Sequence, residues 1–256
     1  AYTPWEWHEQ LFNEAKKIGI DIFSSPFDHT AVDFLEKLNA PAYKIASPEI
    51  TDIPLIKKVA ATKKPVIIST GVAEREDIDL AMQTLKDGGA TDVVLLKCTS
   101  SYPAPPESIN LKTMVDFGKT FDCLFGLSDH TMGIGIPVAA VALGASVIEK
   151  HFIIKKDNSS VDSFFSLDYN EFKQMVDEVR SVEKAIGKIT YGLNEEGQKA
   201  KWGRRSLYFS KNIKAGETVT DEHIKSVRPS YGLHPKFYDE VIGKKAKVDL
   251  EIGDRL

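Results

Sequence analysis

Short apolar runs recur along the first two-thirds of the chain, each followed by a stretch with helical periodicity. The runs occupy residues 21–23, 42–46, 66–69, 93–98, 124–127 and 147–150. They are rich in Val and Ile and nearly continuous in apolar character, which predicts strands of a parallel sheet covered by helices. The stretches between them carry helix ends. Asp28 and Asp52 stand at N-cap positions, with Pro54 at the start of its helix. Gly19 and the Gly88-Gly89 pair stand where helices stop, and the last helix spans about 168–187. Strict alternation of strand and helix predicts an α/β fold.

Six such units, roughly 22 to 31 residues apart, fit either a doubly wound sheet or a (β/α)8 barrel. The polar residues separate the two. Ser24-Ser25, Lys44 with Ser47, Ser69-Thr70, Thr99-Ser100-Ser101, Ser128-Asp129-His130 and Glu149-Lys150-His151 stand at the ends of almost every run. A barrel gathers all its strand ends at one C-terminal face, whereas a doubly wound sheet uses mainly those at its switch point. The expectation is therefore a TIM barrel. Six units are two short of eight, so the first two β/α units are expected to be missing, as in an N-terminally truncated sequence.

The pattern changes after Gly187. Residues 189–205 are polar and irregular and read as a linker between a catalytic domain, 1–188, and a small second domain, 206–256. That domain shows a strand at 207–209, the turn Lys214-Ala-Gly-Glu217, a short capped helix at 220–224 and a Pro/Gly-rich loop at 228–235. About 50 residues is marginal for independent stability, so it is expected to pack on another surface.

Composition adds mainly exclusions. The 256 residues are 42% hydrophobic and 27% charged, with a net charge of -4, which gives no electrostatic reason to expect nucleic acid or an anionic membrane. The longest apolar stretch, 136–148, contains Pro, Gly and Ser and is too short to span a bilayer. No signal-peptide pattern precedes it, and the expected compartment is the cytoplasm. Cys98 and Cys123 fit no zinc spacing and read as ordinary buried thiols.

Several segments resemble the sialic acid (nonulosonate) synthase family. Phe23-Ser-Ser-Pro-Phe27, Lys44-Ile-Ala-Ser-Pro-Glu49, Ile68-Ser-Thr-Gly71, Cys98-Thr-Ser-Ser-Tyr-Pro103, Ser128-Asp-His-Thr131 and Glu149-Lys-His-Phe152 look like its successive strand ends. Arg204-Arg-Ser-Leu207 through Lys211-Asn-Ile-Lys-Ala-Gly-Glu217 is similar to its antifreeze-like (SAF) domain. Ser160-Val-Asp-Ser-Phe-Phe-Ser-Leu-Asp168 and Arg228-Pro-Ser-Tyr-Gly-Leu-His-Pro-Lys236 look like the pseudaminic acid branch. The Pro-Asp-His type segment usual in the N-acetylneuraminate branch is absent. The resemblance implies condensation of phosphoenolpyruvate with an amino-sugar aldehyde, a 2,4-diacetamido-2,4,6-trideoxyhexose of the altrose type, to a nine-carbon acid with phosphate release. The alternatives are the neuraminate or legionaminate branch, a condensation making a 3-deoxy-octulosonate, or a non-catalytic sugar-binding module. The tail argues against the octulosonate reaction.

His130 and His151 end neighbouring strands at one face, where neutral imidazoles can hold a borderline divalent metal. The competing reading is two separately satisfied polar residues. The resemblance implies a metal pair, with manganese as the ion and a Lewis-acid role. Phosphoenolpyruvate needs a cation and several donors, which Lys44, Ser47, Ser69 and Ser128, with Ser25 and Ser100, offer from five or six strand ends. A lone Ser in a turn is usually only a turn former; repetition with Lys44 favours a phosphate and carboxylate site. Glu49 and Asp162 are expected near the sugar, against a reading as solvated surface acids. Lys150 reads equally as a catalytic-face cation or a structural ion-pair partner, and Phe164 and Phe165 as packing. The resemblance implies a homodimer that exchanges the small domain and delivers an arginine, Arg205 ahead of Arg204, to the partner's site. The competing reading is a solvated pair on a linker.

Overall fold

The computed structural model describes residues 3–156 and 160–256, in two compact units, Ala1–Gly187 and Lys188–Leu256. The first opens with helix α1 (Trp5–Ile18), which Gly19 ends in the left-handed conformation at φ 77°. Then follow α2 (His29–Lys37), β1 (Tyr43–Ile45), α3 (Ile53–Ala60), β2 (Val66–Ser69) and α4 (Arg75–Asp87). β3 (Val93–Cys98), α5 (Leu111–Phe121), β4 (Leu124–Asp129), α6 (Gly135–Ala142), β5 (Val147–Lys150) and α7 (Tyr169–Ile186) complete it. The expected caps form: Asp28 accepts from Ala31 N at 2.9 Å, and Asp52 from Leu55 N at 3.1 Å. Asp168 and Glu171 close a capping box at α7.

The five strands form one parallel sheet in the order β1-β2-β3-β4-β5. Ile45, Val66, Ile68 and Leu95 bury their side chains against Leu35, Ile56, Val59 and Leu85 of the helices, and this cluster is the main core. Leu127, Met114 and Ala140 anchor a second cluster toward β4 and β5. A flat sheet would hold β1 and β5 about 19 Å apart, four strand spacings. Lys44 Nζ of β1 nevertheless lies 3.6 Å from Glu149 Oε2 of β5, a contact those two side chains could not make across a flat sheet of that width. The sheet is curled into an arc, and Lys44, Ser69, Ser128 and Glu149 face its hollow.

The expected strand at 21–23 is not formed. Only Ser24 makes a single parallel bridge to Tyr43, through a 3.4 Å bond from Lys44 N to Ser24 O. One weak bond along one edge does not extend a ladder.

The second unit holds α8 (Glu195–Lys199), a 3-10 turn at Ala200–Gly203, the antiparallel pair β6 (Ser206–Phe209) and β7 (Ile224–Val227), and the one-turn α9 (Tyr238–Val241). Phe209, Ile213, Val219, Ile224 and Ala246 form its core. Residues 189–205 are not irregular throughout: Asn194 caps α8 by accepting from Gly197 N at 2.8 Å, with Glu195 and Glu196 in the first turn. The expected helix at 220–224 is a single turn, in which His223 N reaches Thr220 O at 3.0 Å. Pairing with β6 then draws Ile224 into a strand. Among the described residues no helix is long and apolar enough to cross a membrane.

Candidate functional site

Side chains alternate between the two faces of a strand, so the inner face of the arc receives Lys44, Ser69, Ser128 and Glu149 together. Lys44 Nζ donates to Ser69 Oγ at 2.7 Å and to Ile45 O at 3.3 Å, and Ser128 Oγ donates to Glu149 Oε1 at 2.5 Å. With the Lys44–Glu149 contact, these bonds link β2, β1, β5 and β4 in one chain. Lys44 is buried, and an ammonium at that depth requires such partners.

A second group of polar atoms crowds the adjoining strand ends. Ser47 opens the 3-10 turn Ser47–Thr51, and its Oγ accepts from Gly71 N at 3.0 Å. A β-carbon at Gly71 would lie 2.9 Å from Ser47 Oγ, 2.8 Å from Cys98 Sγ, and closer still to Ser100 Oγ. A side chain here would push these three groups aside, and the crowding locates Ser47, Cys98 and Ser100 at one spot. Cys98 is buried as expected, but it belongs to this site: its Sγ is 3.9 Å from His130 Nδ1. Burial pushes its thiol up, while contacts with His130, Ser47 and Ser128 outweigh burial and leave it below the usual thiol value.

His130 and His151 follow β4 and β5 with their ring centroids 5.2 Å apart. His130 Nδ1 lies 2.9 Å from Thr99 O. A carbonyl only accepts, so Nδ1 carries the proton, and in the neutral ring Nε2 is the nitrogen with a free lone pair. His151 Nδ1 stands 3.7 Å from Asp162 Oδ2. Burial lowers the proton affinity of both rings. For His130 the Cys98 and Thr99 contacts and the Asp129 charge outweigh burial, and its pKa ends above the ordinary histidine value. For His151 the neighbouring His130 adds to burial, and its pKa stays below that value despite Asp162 and Glu149. Tyr102 leans on His130 at 4.3 Å between centroids, and buried Phe165 lies 4.9 Å from His151. Phe165 thus packs as expected, and the surface it packs against is the histidine pair. Exposed Phe164 packs against Phe165 at 5.4 Å.

The other expected residues are placed as follows. Ser25 is half-buried one residue past the Ser24 bridge, and among the described residues no side-chain bond ties it to the cluster. Glu49 lies on the Ser47–Thr51 turn, and among the described residues its buried Oε2 has no hydrogen-bond partner, as is also the case for Ser163 Oγ beside Asp162. Orphaned buried oxygens are costly and are satisfied by water or by a polar ligand. Arg205 belongs to the second unit, where Nη1 donates to Ser226 O at 2.6 Å. Lys150 resolves as an ion-pair partner, fully buried against Asp129. Glu149 and Tyr102 join the expected residues at the site. The strand-end position of Glu149 was the available signal, while the orientation of Tyr102 depends on the loop after β3. Among the described residues no group of three or more His, Cys, Asp or Glu side chains is placed to hold a metal ion. The histidine pair offers two nitrogens, which suits an ion whose remaining positions go to water or substrate.

The NeuB family model matches residues 1–191 and the SAF domain model residues 204–256. The pseudaminic acid synthase of Campylobacter jejuni subsp. jejuni serotype O:23/36 (strain 81-176) is 50% identical over 256 residues, covering 100% of this chain and 75% of that protein. The pseudaminic acid synthase of Helicobacter pylori (strain ATCC 700392 / 26695) is 47% identical, covering 100% of this chain and 76% of its own length. Among solved structures, the spore coat polysaccharide biosynthesis protein spsE of Bacillus subtilis superposes with a TM-score of 0.70 at 31% identity, over 100% of this chain and 77% of that one. From these matches, and from strand-end residues in the order seen here, the chain belongs to the NeuB family and carries a SAF domain at 204–256.

Proposed function

We propose that this chain is a pseudaminic acid synthase-type enzyme, with phosphoenolpyruvate and the open-chain form of a 2,4-diacetamido-2,4,6-trideoxyhexose of the altrose type as substrates. The observation that carries the reading is the placement of the Lys44–Ser69–Ser128 group and the His130–His151 pair on one hollow face. The identity to pseudaminic acid synthases supports that branch over the neuraminate and legionaminate ones. In the reaction, carbon 3 of phosphoenolpyruvate bonds to the sugar's aldehyde carbon and the aldehyde oxygen takes up a proton. Water then adds at carbon 2, and the carbon 2 to phosphate oxygen bond breaks to release phosphate.

Lys44, Ser47, Ser69 and Ser128, with Ser25 and Ser100, hold the phosphate and carboxylate. The ammonium supplies the charge and the hydroxyls the geometry. Glu149, between Lys44 and Ser128, is the carboxylate placed to take a proton from the incoming water. Asp162 and Glu49 hold the sugar's polar groups, Glu49 through its buried Oε2, which as a carboxylate oxygen accepts from a hydroxyl or amide. Tyr102 and Phe165 pack against the histidines and cover part of their surface, which strengthens the polar contacts on the covered side. The histidines fit a divalent metal through the free Nε2 of His130 and a neutral His151, whose low pKa leaves it unprotonated near neutrality. Such an ion, manganese in this reading, supplies Lewis-acid polarisation of the aldehyde.

The wider architecture of this reading is a (β/α)8 barrel of which the five-stranded arc is a part. A cytoplasmic homodimer exchanges its SAF units, and Arg205 reaches the partner's site. Phosphate release from phosphoenolpyruvate with manganese and purified amino sugars tests the function. Release with the trideoxy altrose-type sugar and little with N-acetylmannosamine is expected. Release with N-acetylmannosamine or the legionaminate precursor alone would move the chain to another branch, and none with any sugar would overturn the enzyme reading.

A further inference from the structure

The residues directly before the two histidines form a buried ion pair that the reaction above leaves unused. Asp129 and Lys150 are register partners on β4 and β5, with Lys150 Nζ 2.5 Å from Asp129 Oδ2 and both side chains fully buried. Lys150 Nζ also donates to Thr131 O at 2.5 Å. Thr131 in turn donates its backbone N–H to Asp129 Oδ1 at 3.1 Å and its hydroxyl to Oδ2 at 3.0 Å. Alternation puts the pair on the reverse face of the sheet from Ser128, Glu149 and the histidines.

Taking two charges out of water at this depth is unfavourable, and two apolar side chains of similar volume would hold the strands at least as firmly. Stability is therefore a poor account of the pair. Geometry is a better one. A charge pair tied down by several directed hydrogen bonds accepts few arrangements, whereas apolar contacts accept many. This arrangement fixes the last register step between β4 and β5 and the turn at Thr131. Those two features set where the imidazoles of His130 and His151 stand.

We propose that Asp129, Lys150 and Thr131 are positioning residues that hold the two histidines at the spacing needed to share one divalent cation. The proposal rests on the metal reading given above. Manganese binding by the whole chain, followed through the paramagnetic resonance signal of the free ion, tests both without turnover. The double variant Asp129→Leu/Lys150→Met removes the two charges together, so no unpaired charge is left buried, and its melting temperature should equal or exceed the parent's. Its manganese affinity should fall roughly 10- to 100-fold, the usual effect of losing groups that orient metal ligands. Thr131→Val keeps the ion pair and should lose affinity in the same direction by less. It also decides the matter if the double variant does not fold. A folded double variant that binds manganese as tightly as the parent overturns the proposal, as does an unchanged Thr131→Val where that variant decides. A parent that binds no manganese overturns the metal reading, and the proposal with it.

Discussion

The two units fill their interiors differently. In the first, Lys44, Ser47, Ser69, Ser128, Asp129, His130 and Thr131 are buried alongside the aliphatic core. In the second, among the described residues, Ser206 is the one polar side chain so buried, and the ion pairs Lys211–Glu222 and Lys214–Asp249 lie at the surface. Exposed pairs add little to stability, so the second unit depends on a small apolar cluster and its backbone bridges. The first has core to spare and places polar groups where they are costly. That burial is the mark of a site, because proteins bury satisfied polar networks mainly where geometry has a use.

The sharpest way to break this contrast is to empty the small core. Phe209→Ala should destabilise the second unit by about 3–5 kcal/mol. Its amides should then exchange with solvent while those of β2 and β3 stay protected; equal loss of protection in both units would show that the two do not differ as described. Next in size is the buried cation. Lys44→Ala should raise the Michaelis constant for phosphoenolpyruvate about 10- to 100-fold, the equivalent of about 1.5–3 kcal/mol for a charged hydrogen bond. Turnover at saturation should change less, and unchanged kinetics would remove Lys44 from the anion site.

The smallest expected effect separates the histidines. In metal-free protein the ring resonances of His130 should titrate at higher pH than those of His151. His130, raised on folding, contributes stability that is complete below the ordinary histidine value and lost as pH rises through its raised one. His151, lowered on folding, binds its proton more readily in the unfolded chain, so stability falls as pH drops through the ordinary value toward its lowered one. The two slopes partly cancel in a melting curve, and for that reason nuclear magnetic resonance is the measurement. The reverse order of titration would remove Cys98, Thr99 and Asp129 as the cause of the difference.

Much of the sheet was legible because its strands are apolar on both faces: the runs at Val66–Ser69, Val93–Cys98 and Val147–Lys150 are the observed strands. β4 runs two residues past its apolar run, since Ser128 and Asp129 continue the ladder opposite Glu149 and Lys150. Polar strand residues carry no apolar signal. The segment at 21–23 failed for the opposite reason, having the composition of a strand but a single bridge. In the tail, the capped turn at Thr220 was visible and its conversion to β7 was not, because that depends on β6 across the hairpin. The clustering of Lys44, Ser69 and Ser128 followed from counting strand ends. The entry of Glu149 between Lys44 and Ser128 did not, because it depends on how far the sheet curls.

That curl has a consequence for how the molecule is made. The Lys44–Glu149 contact joins residues roughly a hundred positions apart, a separation that places it among the late events of folding, after the local β/α pairs have formed. On the ribosome, β1, β2 and β3 can pair while β5 is still inside the exit tunnel, yet the anion site has no second wall until β5 emerges. Nascent chains arrested before residue 149 should therefore have a packed core and no capacity to bind phosphoenolpyruvate, so that binding marks a completed sheet rather than a folded one.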